Sequence, residues 1–320
     1  MKTILVIFLI FWISKSADAQ DESLPIIDMH LDCAPADWNE NNTPLNIVTR
    51  LPSTATRGED LLPQTLLEMD KYNVVFGLLS GPLKNVMEWK GKAPERFLVG
   101  PQFPMAHKND LSITEYWPDA KELRDAVEKG EIGVIGEITA QYAGMMPGDN
   151  LLDQFFALAN EFDLPVGIHT GNGTIIILDT VARRKYRVEY GNPLRVNDVL
   201  SKYPDLRVYF MHAGYPFLED VIAIMLVYHN VYADLSRMNW ASATRIAFHD
   251  YLKSLFDAGL GDRLMFGSDG LGFPEAIGLA IEGIISAEFL TEKQKRDIFY
   301  NNAATFLRLS EEQIARHHEN

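Results

Sequence analysis

Eight short apolar runs recur along the chain, at residues 24–27, 74–79, 97–103, 133–138, 165–169, 206–212, 231–235 and 264–268. Amphipathic patterns fill the gaps wherever length permits, most clearly over 60–72, 119–129 and 151–162. In the first of these, Leu61, Leu62, Leu66, Leu67 and Met69 fall on one side, the side expected to be buried. Runs that are apolar throughout, rather than alternating, suit strands covered on both faces, and covered strands that alternate with helices pair in parallel. Eight such units predict an α/β fold closed into a (β/α)8 barrel. An open doubly wound sheet is the alternative; no Gly-x-Gly-x-x-Gly motif follows any run to support it.

Ahead of these runs, residues 1–19 carry Lys2, an apolar core over 4–13 and the small-x-small triplet Ala17-Asp18-Ala19, the pattern of a cleavable secretory signal. An amino-terminal anchor is the competing reading, but the core is short for a span of about 20 residues. The chain is therefore expected outside the cytoplasm, secreted or periplasmic, with residues 20–320 as one barrel domain. Losing Lys2, Lys15 and Asp18 takes the net charge from −15 to −16, which argues against nucleic acid or an anionic membrane as partner. A small molecule is the expected partner, and the sequence leaves a homo-oligomer open. The single cysteine, Cys33, has no partner for an internal disulfide and is either a soft ligand or a small buried hydrophobe.

Parallel barrels keep their chemistry at the carboxyl ends of the strands, so the last residues of each run are informative. The first leads into Asp28-Met29-His30-Leu31-Asp32, where the period of two puts His30 and Asp32 on one face. The fourth ends in Glu137, the fifth in His169, the sixth in His212, and the eighth leads into Asp269. One histidine at a strand end is ordinary packing. Six ligand-type residues on one rim are not, because buried imidazoles and carboxylates are costly unless a cation pairs with them. A divalent metal is expected, with zinc as the ion. The polar stretch 33–58 leaves the same rim as a long loop, the usual form of a functional lid.

These residues carry a resemblance. The stretch Tyr203-Pro204-Asp205-Leu206-Arg207-Val208-Tyr209-Phe210-Met211-His212-Ala213-Gly214, continued by Asn230-Val231-Tyr232-Ala233-Asp234-Leu235-Ser236, resembles the amidohydrolase superfamily, specifically its amidohydrolase-2 family of decarboxylases, lactonases and hydrolases. Phe266-Gly267-Ser268-Asp269 and Asn302-Ala303-Ala304 are similar to that family's last strand and closing helix. The resemblance implies the barrel, a metal bound by the first-strand motif, His169 and Asp269, and a water activated near His212. One departure stands out: the family's first strand usually carries His-x-His, whereas Asp32 makes this one His-x-Asp. That form is similar to membrane dipeptidases, in which a fourth-strand glutamate bridges two ions, and Glu137 sits where such a bridge belongs. Two ions are therefore one expectation; the other is a single ion with Glu137 orienting a ligand from behind.

Within such a site Asp269 is the candidate proton shuttle, and His212 either binds a second ion or orients and deprotonates the water. Hydrolysis of an amide or ester, including cyclic amides and lactones, is the leading expectation. Non-oxidative decarboxylation of an aromatic or enoic acid is the alternative, and a binding protein that kept the barrel without the chemistry is a third. Arg183, Arg184, Lys185 and Arg187 cluster in the loop after His169, where Arg184 and Arg187, three apart on a helix, can clamp a substrate carboxylate or else form a solvated face. His107, after the third run, is a further candidate for substrate contact. His317 and His318 read as a polar tail.

Overall fold

The computed structural model describes residues 24–33, 38–104, 117–173 and 185–319. His107, Arg183 and Arg184, like residues 1–19 with the expected secretory signal, lie outside the described residues. All eight expected strands are present: β1 (Ile26–Asp32), β2 (Val74–Gly81), β3 (Phe97–Pro101), β4 (Ile135–Ile138), β5 (Val166–His169), β6 (Val208–Met211), β7 (Val231–Asp234) and β8 (Leu264–Met265). They pair in parallel as β1-β2-β3 and β4-β5-β6-β7-β8. Backbone bonds join these sheets at both seams. Phe103 N–H donates to Glu137 O at 2.9 Å and Thr139 N–H to Phe103 O at 2.8 Å on one side. On the other, Met29 N–H donates to Phe266 O at 2.9 Å and Asp269 N–H to His30 O at 2.8 Å. The sheet thus closes on itself as a (β/α)8 barrel, which leaves no free edge.

The three clearest helices form where periodicity placed them, over Leu61–Lys71, Ala120–Glu128 and Asp153–Glu161. The second starts on Asp119, whose carboxylate accepts the Glu122 N–H, a cap that contributes about 1 kcal/mol. In the first, the buried side holds Leu61, Leu62, Thr65 and Met69, while Leu67 is 58% exposed. Leu67 was expected inside; it sits two positions from both Thr65 and Met69, and residues two apart on a helix point in different directions. No described helix is long and apolar enough to cross a membrane.

The described part of the loop, residues 38–58, is tied down at several points, although most of its side chains are exposed. Ser53 Oγ donates to Gly272 O, Trp38 Nε1 donates to Ala55 O, and Asn46 Nδ2 and Thr54 both donate to the Glu275 carboxylate. Cys33 is fully buried, and burial pushes its thiol well above the usual range, so it packs as a small apolar group. At the chain's end the structure corrects the polar-tail expectation. A helix spans Glu311–Glu319, and its His317 Nδ1 bonds Tyr300 Oη at 3.0 Å while the ring lies 5.4 Å from that of Phe76.

Candidate metal centre

Local backbone irregularities aim the rim residues inward. In β1 the register slips between Asp28 and Leu31, and Asp28 Oδ1 accepts the N–H groups of His30 (2.9 Å) and Ser268 (3.0 Å), two amides close to the slip. In β4, Gly136 has φ +128, and a Cβ there would stand 2.4 Å from Gly167 O, so only glycine lets β4 lie this close to β5 beside Glu137. His212, Arg237 and Asp269, just past β6, β7 and β8, have φ values of +62, +61 and +46. Left-handed backbone is costly for such residues, and its concentration at one rim marks a functional site.

All six rim residues predicted from the strand ends meet there. Glu137 stands among three imidazoles: its Oε1 lies 3.8 Å from His169 Nε2 and 3.9 Å from His212 Nε2, and its Oε2 lies 3.8 Å from His30 Nε2. Asp32 joins His30 and Glu137 in one group whose donor atoms lie within 4.8 Å of one another, and Glu137, His169 and His212 form another. Asp269 Oδ2 is 3.9 Å from His212 Nδ1 and 3.4 Å from Arg237 Nε. Arg187, by contrast, lies outside the cluster. Its backbone is extended rather than helical, and its guanidinium donates to the Tyr186 and Lys185 carbonyls in an exposed segment.

These residues fit a metal. His30 Nε2 is buried with no hydrogen-bond partner, facing a carboxylate oxygen at 3.8 Å. That gap is too long for a hydrogen bond, yet two coordination bonds of about 2.1 Å each can span it. His30, Asp32, Glu137, His169 and His212 offer the nitrogen and oxygen donors that a divalent cation takes; Glu137 belongs to two of the three such groups among the described residues, the third being His30, His212 and Asp234.

The protonation states follow from burial and neighbours. Burial, followed by the cationic groups around it, holds His169 neutral, well below the usual imidazole range. Burial and His30 pull His212 down to about 3. For His30, burial works toward the neutral ring, but the Asp269 and Asp234 carboxylates outweigh it and raise the group well above its ordinary value. Burial and the adjacent Asp32 charge raise the Asp269 carboxyl, with Arg237 pulling the other way.

Several functional candidates escaped the strand-end reading. Asp234, the last residue of β7, is fully buried and lies 3.3 Å from His30 Nδ1. Its signal was present, since the same rule that selected Glu137 selects it. Gln102 Nε2 donates to Glu137 Oε2, and Gln141 Nε2 bonds His169 Nδ1 at 2.8 Å. Tyr142 Oη sits 2.9 Å from His169 Nε2, with its ring against that of Tyr186. Trp240 Nε1 donates to Ser268 O, and the indole lies 5.5 Å below the Arg237 guanidinium. Trp89 packs on Phe97, and Trp117 on Phe103 and Phe155.

Comparison with known proteins agrees with this geometry. The family model described as amidohydrolase matches residues 27–309. Protein fluG of Emericella nidulans is 28% identical over 116 residues, 36% of this chain, and the match spans only 12% of that relative's length. Among solved structures, a probable 2-pyrone-4,6-dicarboxylic acid hydrolase from Acinetobacter baumannii superposes with a TM-score of 0.61 at 12% identity, covering 89% of this chain and 100% of that one. A dihydroxybenzoic acid decarboxylase from Polaromonas sp. JS666, holding manganese and the inhibitor 2-nitroresorcinol, gives 0.57 at 14% identity, covering 91% and 99%. Likeness at such identities shows the shared barrel. The family match, however, encloses every rim residue from His30 to Asp269, and on that ground the chain belongs to the amidohydrolase family.

Proposed function

We propose that this enzyme hydrolyses an amide or ester bond, cyclic amides and lactones included, in a small molecule. The observation that carries the proposal is Glu137, shared by two donor groups, His30–Asp32–Glu137 and Glu137–His169–His212. A carboxylate so placed can serve two cations, and zinc suits its nitrogen and oxygen donors. Held there, divalent cations supply Lewis acidity, acidifying water and polarising a substrate carbonyl. The chain's own groups do the rest. Asp269, buried between Asp32, His212 and Arg237, holds a proton readily and stands at the rim, where it can pass that proton to a leaving group. Gln102 and Gln141 hold Glu137 and His169 in orientation through their amides.

Decarboxylation of an aromatic or enoic acid is the second reading, favoured by the recurrence of decarboxylases among the similar structures. Solvent isotope separates the two. Zinc-loaded and manganese-loaded protein is offered lactones, cyclic amides and aromatic acids in ¹⁸O-water. Hydrolysis places solvent oxygen in the product acid, whereas release of carbon dioxide with no solvent oxygen incorporated into the organic product establishes the decarboxylase.

A further inference from the structure

Two residues beyond β7, the fully buried Ser236 places one hydroxyl against three partners. Its Oγ lies 2.5 Å from Asp234 Oδ1, 2.9 Å from His30 Nδ1 and 2.9 Å from His212 Nδ1. A serine hydroxyl has one proton to give and two lone pairs to receive. An ionised carboxylate only accepts, so the proton belongs to Asp234. Both lone pairs then face ring nitrogens, and each nitrogen must arrive as N–H. The donor and acceptor count closes only when the two imidazoles are protonated at Nδ1.

The rings are not equally dependent on this hydroxyl. His30 Nδ1 also lies 3.3 Å from Asp234 Oδ2, a carboxylate oxygen whose charge favours a proton on that nitrogen although no hydrogen bond forms there. His212 Nδ1 has no comparable one among the described residues, since Asp269 Oδ2 is 3.9 Å away, beyond hydrogen-bond reach. Asp234 itself is fixed from several sides, because Oδ1 also accepts the N–H groups of Ser236 (2.9 Å) and His212 (3.1 Å). The hydroxyl is therefore held on a rigid base.

We propose that Ser236 is a positioning residue that fixes the Nδ1–H tautomer of His212, leaving the Nε2 lone pair turned toward Glu137, 3.9 Å away. At His30 the hydroxyl and the Asp234 charge likewise keep a proton on Nδ1, and its Nε2 faces the other oxygen of Glu137. The tautomer stands on this geometry alone; its consequence for metal affinity rests on the reading of the centre given above.

The test is a long-range ¹H–¹⁵N spectrum of the full-length chain labelled at histidine, stripped of metal by a chelator and held near pH 8, above the ordinary imidazole range, with the His212 ring as the one read. Wild-type His212 is expected to show a protonated Nδ1 and a bare Nε2. Ser236→Ala, which removes only the oxygen, should release His212 into the other tautomer or a mixture while His30 stays unchanged, and Ser236→Thr should restore the wild-type pattern. Zinc titration against a competing chelator should show a Kd about 10- to 100-fold weaker in Ser236→Ala. A wild-type His212 protonated at Nε2 overturns the proposal, and this measurement stands even if the alanine variant fails to fold. So does a Ser236→Ala spectrum identical to wild type in a chain that still binds zinc. The inferred tautomer in a wild-type chain that takes up no zinc would support the role of Ser236 and sink the metal reading instead.

Discussion

Replacing Glu137 by Gln removes one negative charge from between three imidazoles, at 3.8 to 3.9 Å from each Nε2. Shape and size hardly change, so the effect is electrostatic. Two unit charges about 4 Å apart interact by about 4 kcal/mol at an effective dielectric of about 20, and a doubly charged ion feels about twice that. The amide oxygen of the glutamine retains part of the attraction. A net loss of about 4 kcal/mol per ion, or about a thousandfold in affinity, is the expected size of the effect. If Glu137 bridges, both ions weaken together, and the stoichiometry at fixed free zinc falls from close to two per chain toward none. Elemental analysis after dialysis against buffered zinc, joined to chelator competition, reads both quantities. Wild-type protein that saturates at one ion, with Glu137→Gln unchanged in stoichiometry, would refute the bridge and leave Glu137 orienting a ligand from behind.

The remaining predictions concern the shuttle, the acid limb and the leader. Asp269→Asn should keep fold and metal while turnover falls by about 10²- to 10⁴-fold, because an amide cannot carry the proton; steady-state rates at matched metal content decide this. His212 is neutral in the folded chain down to about pH 3, so below about 6.5 the unfolded state binds a proton that the folded state refuses. Stability from this group is therefore present above about pH 6.5 and drains as pH falls, by up to about 1.4 kcal/mol per unit. Urea unfolding of metal-free wild type and His212→Gln at pH values from 7 down to 5 should show the variant losing less; parallel curves would contradict it. Export predicts that protein recovered from its native host begins just after Ala19, as amino-terminal sequencing will show.

The barrel was legible in the chain because its cause is local. Each apolar run must be covered on both sides, and periodicity between the runs shows what covers it. The rim was legible for a related reason: in a parallel barrel every strand ends at the same face, so the last residues of the runs at His30, Glu137, His169, His212 and Asp269 had to converge. Asp234, the last residue of β7, obeys the same rule, although the apolar run continues past it to Leu235. What no local pattern contains is direction. A slip in β1 decides that His30 and Asp32 look inward, and left-handed backbone at His212, Arg237 and Asp269 turns those side chains toward one another. A one-residue change of register would send them elsewhere. Gln102, Gln141, Tyr142 and Ser236 are unremarkable polar residues in the linear chain. They become orienting groups only once separate strand ends come within hydrogen-bond distance, and that proximity is a property of the closed barrel alone.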